Sequence, residues 1–74
     1  MNTIKSYKHS DIDGYVIVTF DDNTTKILPT TEKLNNEIFI KRPILCDELY
    51  MVDDVLYGRK ELFERFGILV IGKL

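Results

Sequence analysis

Tyr15-Val16-Ile17-Val18-Thr19-Phe20, followed by Asp21-Asp22-Asn23 and then by Thr25-Lys26-Ile27-Leu28, is the stretch that decides the fold. Each of the first six residues is β-branched or aromatic, the side-chain types that pack well on a pleated surface. The three polar residues after them hydrogen-bond locally and tolerate the backbone of a tight turn. A second short run then returns, so the stretch predicts a β-hairpin. Strand alternation puts either Val16 and Val18, or Ile17 and Phe20, against a core. Pro29 cannot donate to a ladder, so it ends the returning strand or lies on an edge.

On the N-terminal side, Thr3 to Lys8 reads as a short first strand with Ile4 and Tyr7 inward. His9 to Gly14 is loop material rich in Ser, Asp and Gly. On the C-terminal side, Thr30 to Asn36 is polar and has room for one helical turn capped by Thr30 or Thr31. Glu37 to Lys41 (EIFIK) alternates, with Ile38 and Ile40 on one face and Phe39 on the other, and predicts another strand. Arg42-Pro43 breaks it, and Ile44 and Leu45 continue the apolar surface. Glu48 to Val52 is extended and can pair with Val55 to Tyr57 across Asp53-Asp54. The alternative, a helix capped by Asp54, would place Gly58 in a helix interior at about 1 kcal/mol relative to Ala. A helix is instead expected over Arg59 to Phe66, where Leu62, Phe63 and Phe66 form an apolar stripe. Glu61 precedes Arg65 by four residues, a spacing that suits an exposed ion pair. Gly67 suits the left-handed C-cap. Ile68 to Ile71 is apolar on both faces, the pattern of a covered strand. The expectation is an α+β fold: a mostly antiparallel sheet of five to six short strands with one short C-terminal helix, at about residues 59–66.

Seventy-four residues leave room for a single small domain, residues 1–74. Hydrophobic residues are 45% of the chain and charged residues 30%, a globular balance in which a thin core can form. Ten basic and twelve acidic side chains give a net charge of −2, without the basic excess of a nucleic-acid binder. The single cysteine, Cys46, favours a reducing compartment, since small extracellular domains are stapled by paired cysteines. No signal peptide is visible, and the longest apolar run, Ile68 to Ile71, is far short of the roughly 20 residues that span a bilayer. A cytoplasmic location is therefore expected, or the host cytoplasm for a phage protein.

No constellation for chemistry emerges. His9 is the only histidine and stands between Lys8 and Ser10 in a polar loop. Cys46 lies beside Asp47 and Glu48, whereas a nucleophilic thiolate wants cationic neighbours. The acidic groups Asp11 with Asp13, Asp21-Asp22, Asp47-Glu48 and Asp53-Asp54 fit turns better than a calcium loop, whose ligand spacing they lack. The glycines are isolated, and Ser6 and Ser10 have no triad around them. No catalytic, cofactor or metal site is expected. Tyrosine, methionine and arginine are enriched at protein interfaces. Tyr50, Met51 and Tyr57, with Arg42, Arg59 and Lys60, are accordingly the candidate partner-binding residues. The competing reading is that the tyrosines finish a core too small to hold them.

Gly14 to Asn23 (GYVIVTFDDN) resembles the first hairpin of a family of small bacterial domains of unknown function, which occur alone or ahead of a helix-turn-helix in regulators. Val52 to Gly58 (VDDVLYG) is similar to that family's second motif, with Leu56-Tyr57 in place of its usual Trp-Pro pair. The resemblance implies an α+β fold and brings no catalytic residues with it.

These readings lead to a small non-catalytic protein-interaction module: an inhibitor, adaptor or regulatory subunit. Heavy use of Asn, Lys, Ile, Asp and Tyr fits an AT-rich genome and a phage or mobile-element source. The alternative, implied by the resemblance, is a nucleic-acid-linked regulatory domain of a transcriptional or toxin–antitoxin system. That role needs a basic face gathering Arg42, Arg59, Lys60 and Lys73. A symmetric homodimer is also expected, because so small a core needs support and sheet edges need cover.

Overall fold

The computed structural model describes residues 3–41 and 43–71. The predicted hairpin forms β2 (Tyr15–Phe20) and β3 (Thr25–Pro29), and β1 (Ile4–His9) pairs with the other edge of β2. All pairings are antiparallel, with Tyr7 opposite Val18, and Val16 opposite Leu28. Val16, Val18 and Phe20 are buried together with Leu28. Of the two alternatives, Val16 with Val18 is the one that forms; Ile17 and Phe20, three apart, face opposite sides of the strand. Ile4 and Tyr7 pack against the core from β1.

The β2–β3 turn closes through Asn23, whose φ of 67° is tolerated by a short polar side chain. Asp22 Oδ1 accepts hydrogen bonds from both the Thr24 amide and hydroxyl. The second hairpin is β4 (Leu49–Val52) with β5 (Val55–Gly58), preceded by a 3₁₀ turn at Cys46–Glu48. Asp53 and Asp54 both have positive φ, the mark of a type I′ turn, whose twist matches that of the flanking strands. A bridge between Thr30 and Leu56 joins the two sheets. The fold is thus α+β with five strands, divided into antiparallel sheets of three and two rather than one sheet of five or six.

Helix α1 (Glu32–Asn36) begins where Thr31 Oγ1 accepts the Leu34 amide at 3.2 Å. It does not stop at Asn36. Glu37–Lys41, expected as a strand, continues it as a π-helical turn. Leu34 and Ile38 are four residues apart and both buried, as neighbours on one helical stripe should be. Ile40, expected to share a face with Ile38, is exposed. The alternation in EIFIK was therefore overruled by a cap upstream and a helical neighbour four residues back.

Helix α2 (Arg59–Phe66) ends at Gly67, whose φ of 69° and N–H bond to the Phe63 carbonyl form the expected left-handed cap. Of the expected apolar stripe only Leu62 is buried; Phe63 and Phe66 are substantially exposed. Ile68 to Ile71, expected as a covered strand, pairs with nothing among the described residues, and Ile68, Leu69 and Ile71 are exposed. Apolar pattern alone does not make a strand: β1 and β4 each keep an edge with no sheet partner among the described residues, and this segment adds to neither.

The core runs from Val16, Val18, Phe20 and Leu28 through Leu34 and Ile38 to Ile44, Leu49 and Leu56. Ile44 is buried and its neighbour Leu45 exposed, so the apolar surface after Pro43 divides. The Ile44 amide donates to Tyr7 Oη at 3.2 Å, which ties this connection to β1.

Candidate functional site

The two helices are held together by side chains. Glu61, expected in an exposed pair, is buried. Its carboxylate accepts the Thr31 hydroxyl through one oxygen and Arg65 Nε, at 3.0 Å, through the other. Thr31 therefore caps α1 with its lone pair while its proton binds a carboxylate on α2. A buried charge without such partners would cost several kcal/mol. Lys33 and Glu64 form a second link, half-exposed to solvent. Their hydrogen bond is the main reason that the Lys33 amine is raised above its ordinary value and the Glu64 carboxyl lowered below its own.

This joint frames a cleft of about 400 Å³. Its apolar lining is Leu34, Ile44, Phe63, Leu69 and Val70; its polar lining is Lys33, Arg59 and Lys60 with Glu37, Glu48 and the buried Glu61. Phe63 is 52% exposed and Leu69 67%, so the apolar lining is open to solvent on the α2 side. The volume falls in the range of small recognition sites, and the pairing of apolar walls with a few polar groups is typical of them.

The five candidate partner-binding residues among the described residues do not form one cluster. Arg59 and Lys60 are exposed and stand on the cleft rim. Tyr57 is only 8% exposed; Phe66 meets its ring edge-on at 5.2 Å and the Arg65 guanidinium lies 5.9 Å from its centroid. That ring is a packing element, as the competing reading held. Tyr50 lies directly across the hairpin from Tyr57, on the same face, and is half-buried. Met51 is paired with Leu56 on the opposite face and is partly exposed. Arg42, like Lys73, lies outside the described residues. Lys33, Phe63 and Leu69 were missed by sequence reasoning. Phe63 was assigned to the buried stripe, and because Leu62, Phe63 and Phe66 lie within about 100° of one another around the helix, no local signal marked it as solvent-facing.

The His9 ring lies against Phe39, tilted by 36° with ring centroids 4.0 Å apart, and so fastens β1 to the π-helical turn. Among the described residues, no group of three or more His, Cys, Asp and Glu could hold a metal ion, and no helix is long and apolar enough to cross a membrane. Compared with known proteins, the chain matches no family model, no curated protein and no solved structure.

Proposed function

We propose that this chain is a small, non-catalytic protein-interaction module that binds its partner through the α1–α2 cleft. One observation carries the proposal: exposed apolar side chains, Phe63 and Leu69, line a formed cleft whose polar lining mixes both signs. Apolar side chains supply binding energy when covered, while rim charges select the partner and its register. Interleaved acids support a protein partner over nucleic acid. A phosphate backbone rewards a continuous basic stripe, whereas here Lys33 is engaged by Glu64 and Arg59 and Lys60 stand among glutamates.

The test is affinity capture from cells of the native source, comparing wild type with Phe63→Asp and Leu69→Asp. Both positions are exposed, so circular dichroism should show folded variants. A specific protein retained by wild type and lost by both variants supports the proposal. Capture that is indifferent to both substitutions, or retention of nucleic acid instead of protein, overturns it.

A further inference from the structure

The three-stranded sheet has a second face, remote in composition from the cleft. Ile17 stands at its centre, directly opposite Lys8 of β1 and Ile27 of β3, so all three share the face turned away from Val16 and Val18. Tyr15 and Thr19 flank Ile17 along the strand. Ile27 is 57% exposed and Tyr15 39%. An antiparallel sheet with one solvated face normally alternates apolar-in with polar-out. Here Ser6, Lys8, Thr19 and Thr25 follow that rule, while Tyr15, Ile17 and Ile27 form an apolar strip across the middle, and of the residues whose strand partners place them on the outer face only Lys8 is charged.

The charges lie around the perimeter, and their placement is ordered. The β1 edge carries Lys8 and Lys5, the latter donating to Asn23 Oδ1 of its own β2–β3 turn at 3.1 Å. Both strand ends of the sheet are acidic: Asp11 and Asp13 lie in the β1–β2 loop, and Asp21 and Asp22 in the β2–β3 turn. Face-to-face sheets pack either nearly aligned or nearly orthogonal. In the orthogonal arrangement, a two-fold axis in the plane between the sheets, at 45° to the strands, carries each edge of one sheet onto a strand end of the other. The lysine edge of each copy then covers an acidic end of its mate, and the uncharged centres meet at Ile17.

We propose that this face is where two copies of the chain associate, as an orthogonal two-fold pair of three-stranded sheets centred on Ile17. Self-association is independent of the cleft, so a dimer would present two clefts. The outer face of three short strands is small beside the roughly 800 Å² per partner of a standard interface, so the dimer is reversible at micromolar concentrations or above.

Sedimentation equilibrium over about 10 to 500 μM brackets the affinity expected for so small an interface. Wild type should move from monomer towards dimer mass across that range. Ile17→Glu should weaken association at least tenfold, and Lys8→Glu several-fold. Adding Asp13→Lys or Asp21→Lys to Lys8→Glu should restore association for whichever acidic end faces the lysine edge. Ile17→Cys in a Cys46→Ser background should form an intermolecular disulfide on mild oxidation, because the residue lies next to the axis. Phe63→Asp should leave the association unchanged. Monomer mass at every concentration overturns the proposal. So does a dimer lost with Phe63→Asp and retained with Ile17→Glu, or the failure of both charge reversals to rescue. A monomer that still captures its partner through the cleft would refute self-association alone.

Discussion

Thr31→Val removes one hydroxyl and nearly nothing else, yet that hydroxyl serves two helices. As a cap it accepts the Leu34 amide, and as a donor it satisfies the buried Glu61 carboxylate. Losing an N-cap costs about 0.5–2 kcal/mol. Withdrawing a partner from a buried acceptor costs about 1–3 kcal/mol. The two losses share one atom, and Glu61 keeps Arg65, so the expected total is about 2–3 kcal/mol rather than the sum of the extremes. Stability of about 0.05–0.15 kcal/mol per residue makes this a large fraction of the whole for a chain of this size. Each kcal/mol moves Tm by about 4–8 °C in a domain of 60–100 residues, so a fall of about 10–20 °C is expected. Thermal unfolding followed by circular dichroism measures it. Thr31→Ser keeps the hydroxyl and should stay within about 1 kcal/mol of wild type. In a Glu61→Gln background the Thr31→Val penalty should shrink by about 1 kcal/mol, because a hydrogen bond to a charged acceptor is roughly twice as strong as a neutral one. A Tm within about 3 °C of wild type for Thr31→Val would refute the shared-hydroxyl joint, being less than the effect of one kcal/mol. Equal damage from serine and valine would do the same.

In a Lys26→Met background, which already lacks the Lys26–Asp54 ion pair, Asp54→Gly should stabilise the second hairpin by about 0.5 kcal/mol, because glycine adopts the required positive φ without a Cβ penalty; urea unfolding that shows a loss would contradict the type I′ assignment. The Lys33–Glu64 link should be sensitive to pH. With the Glu64 carboxyl lowered in the fold, its contribution is present above the ordinary carboxylate range and is lost as pH falls through the lowered value. With Lys33 raised, its contribution is present below the ordinary value of 10.5 and is lost as pH rises through the raised one. The Tm difference between wild type and Lys33→Met should therefore be greatest near neutrality and vanish in acid; a difference that persists there would mean the link is not ionic. Cys46, half-buried at the start of the 3₁₀ turn with acidic neighbours, should react with a maleimide several-fold more slowly in the folded protein than in denaturant; equal rates would show a fully accessible thiol.

Several elements were legible because short-range sterics specify them. β2 needs only six consecutive residues that disfavour helix and fit a pleat. The C-cap at Gly67 follows from the one residue that reaches a left-handed backbone without strain. The Asp53-Asp54 turn was legible too, because short polar side chains tolerate positive φ. Thr31 was one of the two residues recognised as a possible cap, and the helix over Arg59 to Phe66 matches its expected bounds.

The cleft was not legible in that way. Its lining runs from Lys33 to Val70 and is assembled by two helices, the Ile44 connection and the chain after Gly67. No local pattern records that Glu61 is buried while Phe63, two residues on, is exposed. That depends on where Thr31 and Leu34 of α1 come to rest against α2. EIFIK and GILVI show the same limit from two sides. Each has residues able to form a strand, but the first continues a helix capped upstream at Thr31, and the second joins neither sheet among the described residues. Local sequence determines what a segment can be, through φ/ψ sterics and side-chain alternation; only the tertiary structure decides which segments find partners, because the number of free sheet edges and buried stripes is a property of the whole chain.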